Sequence, residues 1–176
     1  MKYIKYIIFF SLAFSEYIID ESKSKVIYYG NHPLHSWSGE TTSIKINSEC
    51  KSTNEFNCDF EFRIPVMSFY SGNDNRDSNM LYYLNAFLYP DIIMSFDNFI
   101  IKEYNTVIIE GKLSVNGISK RIEIPINLFH KSNKNYSIKS LFSISLSSFN
   151  IEVPKLLFLP IDNDIKIDID LLVNKI

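Results

Sequence analysis

From Phe56 to Val66 the residues Phe56, Cys58, Phe60, Phe62, Ile64 and Val66 alternate with Asn57, Asp59, Glu61 and Arg63. A period of two places the apolar set on one side of an extended chain, so this stretch is predicted to be a half-buried strand. The pattern recurs four times in the second half, in Val107 to Val115, Ile122 to Leu128, Tyr136 to Leu146 and Ile165 to Leu171, with polar residues in most alternate places. Asn116-Gly117, Lys131 to Asn135 and Pro160 to Asn163 read as the turns between them. Near the start, Tyr17 to Asp20 and Val26 to Tyr29 also read as extended, and Asn31 to Gly39 breaks the pattern with Pro33 and Gly39. Strands on short connections with one apolar face require an antiparallel sheet that packs on another sheet or closes on itself. The fold class is therefore all-β, and closure into a barrel of about eight strands is the favoured form.

One stretch keeps a different period. Met80, Leu81, Leu84, Phe87 and Leu88 fall three and four residues apart, which lines one face of a helix, and Pro90 forbids its continuation. The polar bend Ser68 to Asp77 precedes it. There Gly72, Asn73 and Asn75 form the turn, and Asp74 or Asn75 is free to cap the helix. Arg76 and Asp77 read either as a cap with a solvated charge or as an ion pair that closes one end of the sheet. Neither role is catalytic.

Residues 1–15 have the shape of a secretory signal, with Lys2 and Lys5, an apolar run from Tyr6 to Phe14, and Ala13 and Ser15 at cleavage-site spacing. That run is shorter than the roughly 20 residues a hydrocarbon core requires, so the expected product is secreted or periplasmic and not membrane-spanning. The remaining residues, 16–176, suit one domain with a full core. Removal of Lys2 and Lys5 takes the formal charge from −2 to −4, and no cluster of Lys and Arg offers phosphates a basic face. Nucleic acid is thereby disfavoured as a partner. With 14 Phe and 11 Tyr against 5 Gly, the chain carries enough aromatic surface to line a cavity as well as fill a core.

A hairpin that pairs Ile44 with Ile64 and Ile46 with Phe62 sets Cys50 opposite Cys58. Cross-strand partners are close enough for a disulfide, which an oxidising compartment permits; the alternative is two buried thiols packed as small apolar residues. A metal there would lack further ligands.

Several of these residues resemble the YceI-like, polyisoprenoid-binding family. Tyr17-Ile-Ile-Asp20 with Ser24, Val26, Tyr28 and His32 is similar to its opening. Ser68, Gly72, Arg76-Asp77, Phe87 and Tyr89-Pro90 resemble its central motif, and Gly111 to Lys120, with the Gly117 turn, its strand-turn-strand signature. Phe149-Asn-Ile151 is a fainter match to its closing motif. The resemblance runs from about Tyr17 to Val173. It implies an extended lipocalin-like antiparallel barrel, often secreted or periplasmic, around an apolar tunnel for an isoprenoid chain, with no shared enzymatic activity. The chain departs from the family where Lys23, Asn79 and Asn116 replace frequent histidines, where Leu146 and Ser147 stand near the place of a closing Asp-Arg pair, and in the more compact His32 to Trp37.

The leading expectation is a carrier for an apolar chain, a polyisoprenoid, quinone or fatty-acyl lipid, without cofactor or metal. The positions expected to line its interior are Phe60, Phe62, Leu84, Phe87, Leu113, Val115, Phe142 and Ile144, although alternating apolar residues form any barrel core. Arg76, Asp77, Pro90, Gly111 and Gly117 are expected to hold the frame. A solid barrel that pairs through Tyr28, Tyr29, Tyr82 and Tyr83, as a homodimer for instance, is the alternative. A His32/His35 enzyme is the weakest reading, because Pro33 excludes a helix through the pair and three zinc ligands cannot be assembled.

Overall fold

The computed structural model describes residues 17–50, 57–100, 106–132 and 134–176; the leader read over 1–15 and the polar stretch Lys51 to Glu55 lie outside them. In chain order the strands are β1 (Tyr17–Ile19), β2 (Lys25–His32), β3 (His35–Thr41), β4 (Lys45–Cys50) and β5 (Asn57–Pro65). A helix, α1 (Asp74–Tyr83), follows, then β6 (Asp91–Ile100), β7 (Thr106–Val115), β8 (Ile118–Ser132) and β9 (Asn135–Ser145). The short hairpin β10 (Lys155–Leu156) and β11 (Leu159–Pro160) precedes β12 (Asp164–Lys175).

Ten of these strands make one antiparallel sheet in the order β3-β2-β12-β9-β8-β7-β6-β5-β4, with β1 also paired to β12. The sheet curls until β1 lies against β4. Among the described residues no ladder joins β3 to β4, so the lipocalin-like sheet is a curled half-barrel and not a ring of hydrogen bonds. The reason is directional. Residues 42–44 carry the chain onward from β3 into β4 without a reversal, so the two cannot pair as a hairpin. A backbone bridge between Glu40 and Tyr70, with N···O distances of 3.0 and 2.9 Å, ties β3 to the segment before α1 instead.

The strand count exceeds eight because β3 and β6 hide their period. β3, His-Ser-Trp-Ser-Gly-Glu-Thr, is an edge strand with few apolar residues, and β6 sets Ile92 beside Ile93 and opposes a register shift between Cys58 and Phe60. Elsewhere alternation and structure agree. Ser140 occupies a core-facing slot in β9 where the apolar series skips; it is buried and donates its hydroxyl to the Pro125 carbonyl at 2.7 Å.

The helix differs at both ends from its sequence reading. Asn73, read as part of the turn, is the cap: its side-chain oxygen accepts from the Arg76 amide at 3.0 Å. α1 then stops at Tyr83, one turn early, because Asn85 adopts a left-handed φ of 48° and the Ala86 amide reaches back to the Leu81 carbonyl. That reversal turns Phe87 and Leu88 out of the apolar stripe.

The register pairs Ile46 with Phe62 and Cys50 with Cys58, and the two cysteines are joined by a disulfide whose Cα atoms are 4.0 Å apart. Gly111 is buried where an added Cβ would lie 2.6 Å from the Phe96 ring, and Asn116 and Gly117 both take positive φ in the two-residue turn between β7 and β8.

Direction along the strands gives the half-barrel two unlike ends. The β2–β3 turn, the whole insertion from β5 to β6 with α1, the β7–β8 turn and the connection from β9 to β12 gather at one end. Tyr17 and Lys175, paired in β1 and β12, sit at the other, with the last described residues of β4, β6 and β8.

Candidate functional site

The interior is divided between these ends. Toward the Tyr17 end aromatic rings pack on one another: Phe60 meets Tyr17 edge-on at 5.5 Å between ring centroids and Phe99 at 5.6 Å, and stacks on Phe62 at 6.1 Å, which in turn meets Phe96. None of these residues lines the cavity of about 400 Å³ that occupies the α1 end.

Three parts of the fold build that cavity: the sheet, α1, and the connection from β9 to β12 with Leu146, Ile151 and Leu156. The sheet supplies Val115 from β7, Ile144 from β9, and Ile165 and Ile167 from β12. Met80, Tyr83 and Leu84 cover them from α1 and its C-cap, and Tyr28 and Trp37 reach in from β2 and β3. The walls are thus largely apolar. Polar groups collect at one side, where Arg76, Asn79, His32, His35 and Lys155 form the rim.

Arg76 and Asp77 hold this rim through Ser71, not as an ion pair with each other. The Arg76 guanidinium donates to the Ser71 carbonyl at 3.3 Å and to its hydroxyl at 3.2 Å, and lies 5.4 Å from the centroid of Trp37. Asp77 Oδ2 accepts the Ser71 amide at 3.2 Å, while Oδ1 is buried without a hydrogen-bond partner among the described residues. Burial, reinforced by the Asp77 charge, raises the Tyr28 phenol above its ordinary pKa.

His32 is a loop tie. It is buried, Nε2 lies 3.3 Å from the Leu156 carbonyl oxygen, and Nδ1 accepts the Leu34 amide at 3.3 Å, so Nε2–H donates in the tautomer that satisfies both contacts. It joins the β2–β3 turn to the β10–β11 hairpin across the cavity rim. Among the described residues no three His, Cys, Asp or Glu side chains converge as a metal site would need.

Of the positions expected to line the interior, Leu84, Val115 and Ile144 border the cavity. Leu113 is buried in the same apolar cluster but does not reach its surface. Phe60, Phe62 and Phe142 belong to the other core cluster, and Phe87 is excluded outright, being 97% exposed because the helix ends before it. Pro90 accepts the Val66 amide at 2.8 Å where the insertion closes. The four tyrosines set aside as a dimer face divide: Tyr28 and Tyr83 line the cavity, whereas Tyr29 and Tyr82 are exposed. Sequence reasoning missed Tyr28, Met80, Ile165 and Ile167 as lining. Tyr28 shares the period-two face of Val26, which is buried, and that signal was available.

Comparison with known proteins follows the same outline. No curated protein matches the sequence with significance. The crystal structure of Burkholderia cenocepacia BcnA superposes with a TM-score of 0.73 at 17% identity, covering 88% of this chain and 98% of that one. A polyisoprenoid binding domain from Saccharophagus degradans, implicated in plant cell wall breakdown, gives 0.74 at 13% identity, with 93% and 100% covered. The Campylobacter jejuni YCEI protein gives 0.63 at 17% identity, with 78% and 84% covered. The model of the YceI-like domain matches residues 17–173, nearly the whole of the described barrel, and the chain belongs to the YceI-like family.

Proposed function

We propose that the protein is an exported, non-enzymatic carrier that holds one apolar chain, a polyisoprenoid, a quinone tail or a fatty-acyl chain, in the cavity beneath α1. The observation that carries this reading is the cavity itself. A solid barrel would continue the aromatic packing of Phe60, Phe62 and Phe96 to both ends, yet apolar walls at the α1 end enclose about 400 Å³. That volume lies within the range of roughly 300–1,000 Å³ usual for small-molecule sites. Each methylene withdrawn from water contributes about 0.8 kcal/mol, so ten of them supply about 8 kcal/mol before the cost of immobilisation. The few polar groups at the rim are then sufficient to orient one end of the chain. The S. degradans relative described as a polyisoprenoid binding domain supports the same ligand class, and the leader of residues 1–15 supports export.

The test is mass spectrometry of organic extracts from the mature protein purified without detergent, paired with uptake of fluorescent prenyl and acyl chains by stripped protein. A stoichiometric chain, displaced by its fluorescent analogue, is the expected result. Ile144→Asp, which places a charge in the apolar wall, is expected to abolish uptake while the thermal transition persists. Protein that is empty as purified and takes up neither probe would overturn the carrier reading.

A further inference from the structure

The β10–β11 hairpin breaks the usual chemistry of a tight turn. Leu156 pairs with Leu159, leaving Leu157 and Phe158 as a two-residue loop, and their φ angles are +50° and +70°. Such loops favour Asn-Gly, because bulky side chains resist the left-handed region. Here the strained positions hold large apolar residues, 69% and 96% exposed. Strain of this kind persists only where the surrounding structure holds it, and it clusters at functional sites.

The hairpin is not alone. The five most exposed large apolar residues among those described are Phe87, Phe158, Met67, Tyr82 and Leu88, and all five lie in connections at the α1 end. This is also the cavity's end: Leu156 borders the cavity, and its carbonyl is held by His32. Apolar protrusions and the apolar-walled cavity therefore share one end of the half-barrel.

We infer that this end of the half-barrel seats on a lipid bilayer, with Leu157 and Phe158 inserted among the acyl chains and the cavity opening onto the membrane surface. A protein partner fits less well. The tip is a projecting two-residue turn, with Leu157 69% and Phe158 96% exposed, and a protein partner would need a matching groove to cover it. A bilayer accepts such a projection without a complementary groove. The charges beside it are mixed, with Lys155 on the hairpin and Glu152, Asp162 and Asp164 around it. Docking is thus carried by apolar insertion and not by attraction to anionic headgroups. The route this opens for a chain to enter from the membrane rests on the carrier reading; the docking surface does not.

The variant that tests it is Leu157→Asn with Phe158→Gly, which supplies the residues the turn prefers and removes the apolar tip. Neither position borders the cavity. Flotation with phosphatidylcholine vesicles is expected to carry the wild-type protein equally at 0.1 and 0.5 M salt, and to carry the variant at least tenfold less. The variant should melt no lower than wild type and take up a prenyl chain delivered from cyclodextrin at the wild-type level, with only uptake from vesicles slowed. Equal flotation of variant and wild type, or wild-type protein that stays in the aqueous fraction, would overturn the inference. Wild-type protein that floats through its tip but takes up no chain from either source would uphold the docking surface and sink the carrier reading.

Discussion

Arg76→Ala is the substitution that best tests how the rim is held. The guanidinium makes two hydrogen bonds to Ser71, at 3.3 and 3.2 Å, and lies 5.4 Å from the centre of the Trp37 ring. Both hydrogen bonds are long and the side chain is only half-buried, so each contributes less than a well-formed bond to a charged group, roughly 0.5–1 kcal/mol. The ring contact adds about 0.5–1 kcal/mol, and the better helix propensity of Ala offsets only a few tenths. The expected loss is about 2 kcal/mol, which in a domain of this size lowers the melting temperature by roughly 4–8 °C. Near-UV circular dichroism through the thermal transition, with urea unfolding alongside, measures it. Arg76→Lys keeps the charge but not the planar fork and should recover less than half of the loss. Affinity for a bound prenyl chain, measured well below the transition, should change less than threefold, since the guanidinium is engaged by Ser71 and Trp37. A melting temperature within 1 °C of wild type would refute this account. A tenfold fall in affinity without destabilisation would show that Arg76, which also borders the cavity, contacts the ligand instead.

Other perturbations address the frame. Replacing Cys50 and Cys58 by Ala removes a bridge of sequence separation eight, for which loop entropy gives a loss of about 2.5 kcal/mol in urea unfolding; reducing agent should then leave the variant unaffected while destabilising wild type. Gly117→Ala forces a φ of +72° on an L-residue and sets its Cβ 2.4 Å from the Tyr89 ring. Because that ring is 43% exposed and can swing outward, backbone strain decides the cost, about 1–2 kcal/mol by thermal melting. Tyr28 has its folded pKa raised by burial and by Asp77, so its contribution is complete below the unfolded value near pH 10 and is lost as pH rises through the folded one. Stability should consequently fall more steeply above about pH 10 in wild type than in Tyr28→Phe, and parallel slopes would contradict the burial of the phenol.

Strands were legible wherever one face is buried and the other wet. β5, β7, β8 and β12 obey that condition, and their alternation located them. β3 escaped because an edge strand needs few apolar residues, and β6 because a register shift in its partner breaks the period. The site was less legible for a related reason. Alternation tells which side chains point inward, but not at what height along the barrel they stand. Phe62 and Ile144 look alike in sequence; one fills the aromatic half and the other borders the cavity. Phe87 was misplaced by the single left-handed residue Asn85, whose effect on the helix is conformational and leaves no trace in the spacing of apolar residues.

The pairing of Tyr17 with Lys175 has a practical meaning for handling the barrel. The two residues lie side by side at the end remote from α1, where an attachment at either would not crowd the cavity. A support or fluorophore attached through either strand would therefore project away from the cavity and leave it facing the solution. A sensor for hydrophobic small molecules could be immobilised in this way without obstructing the opening through which its analyte must pass.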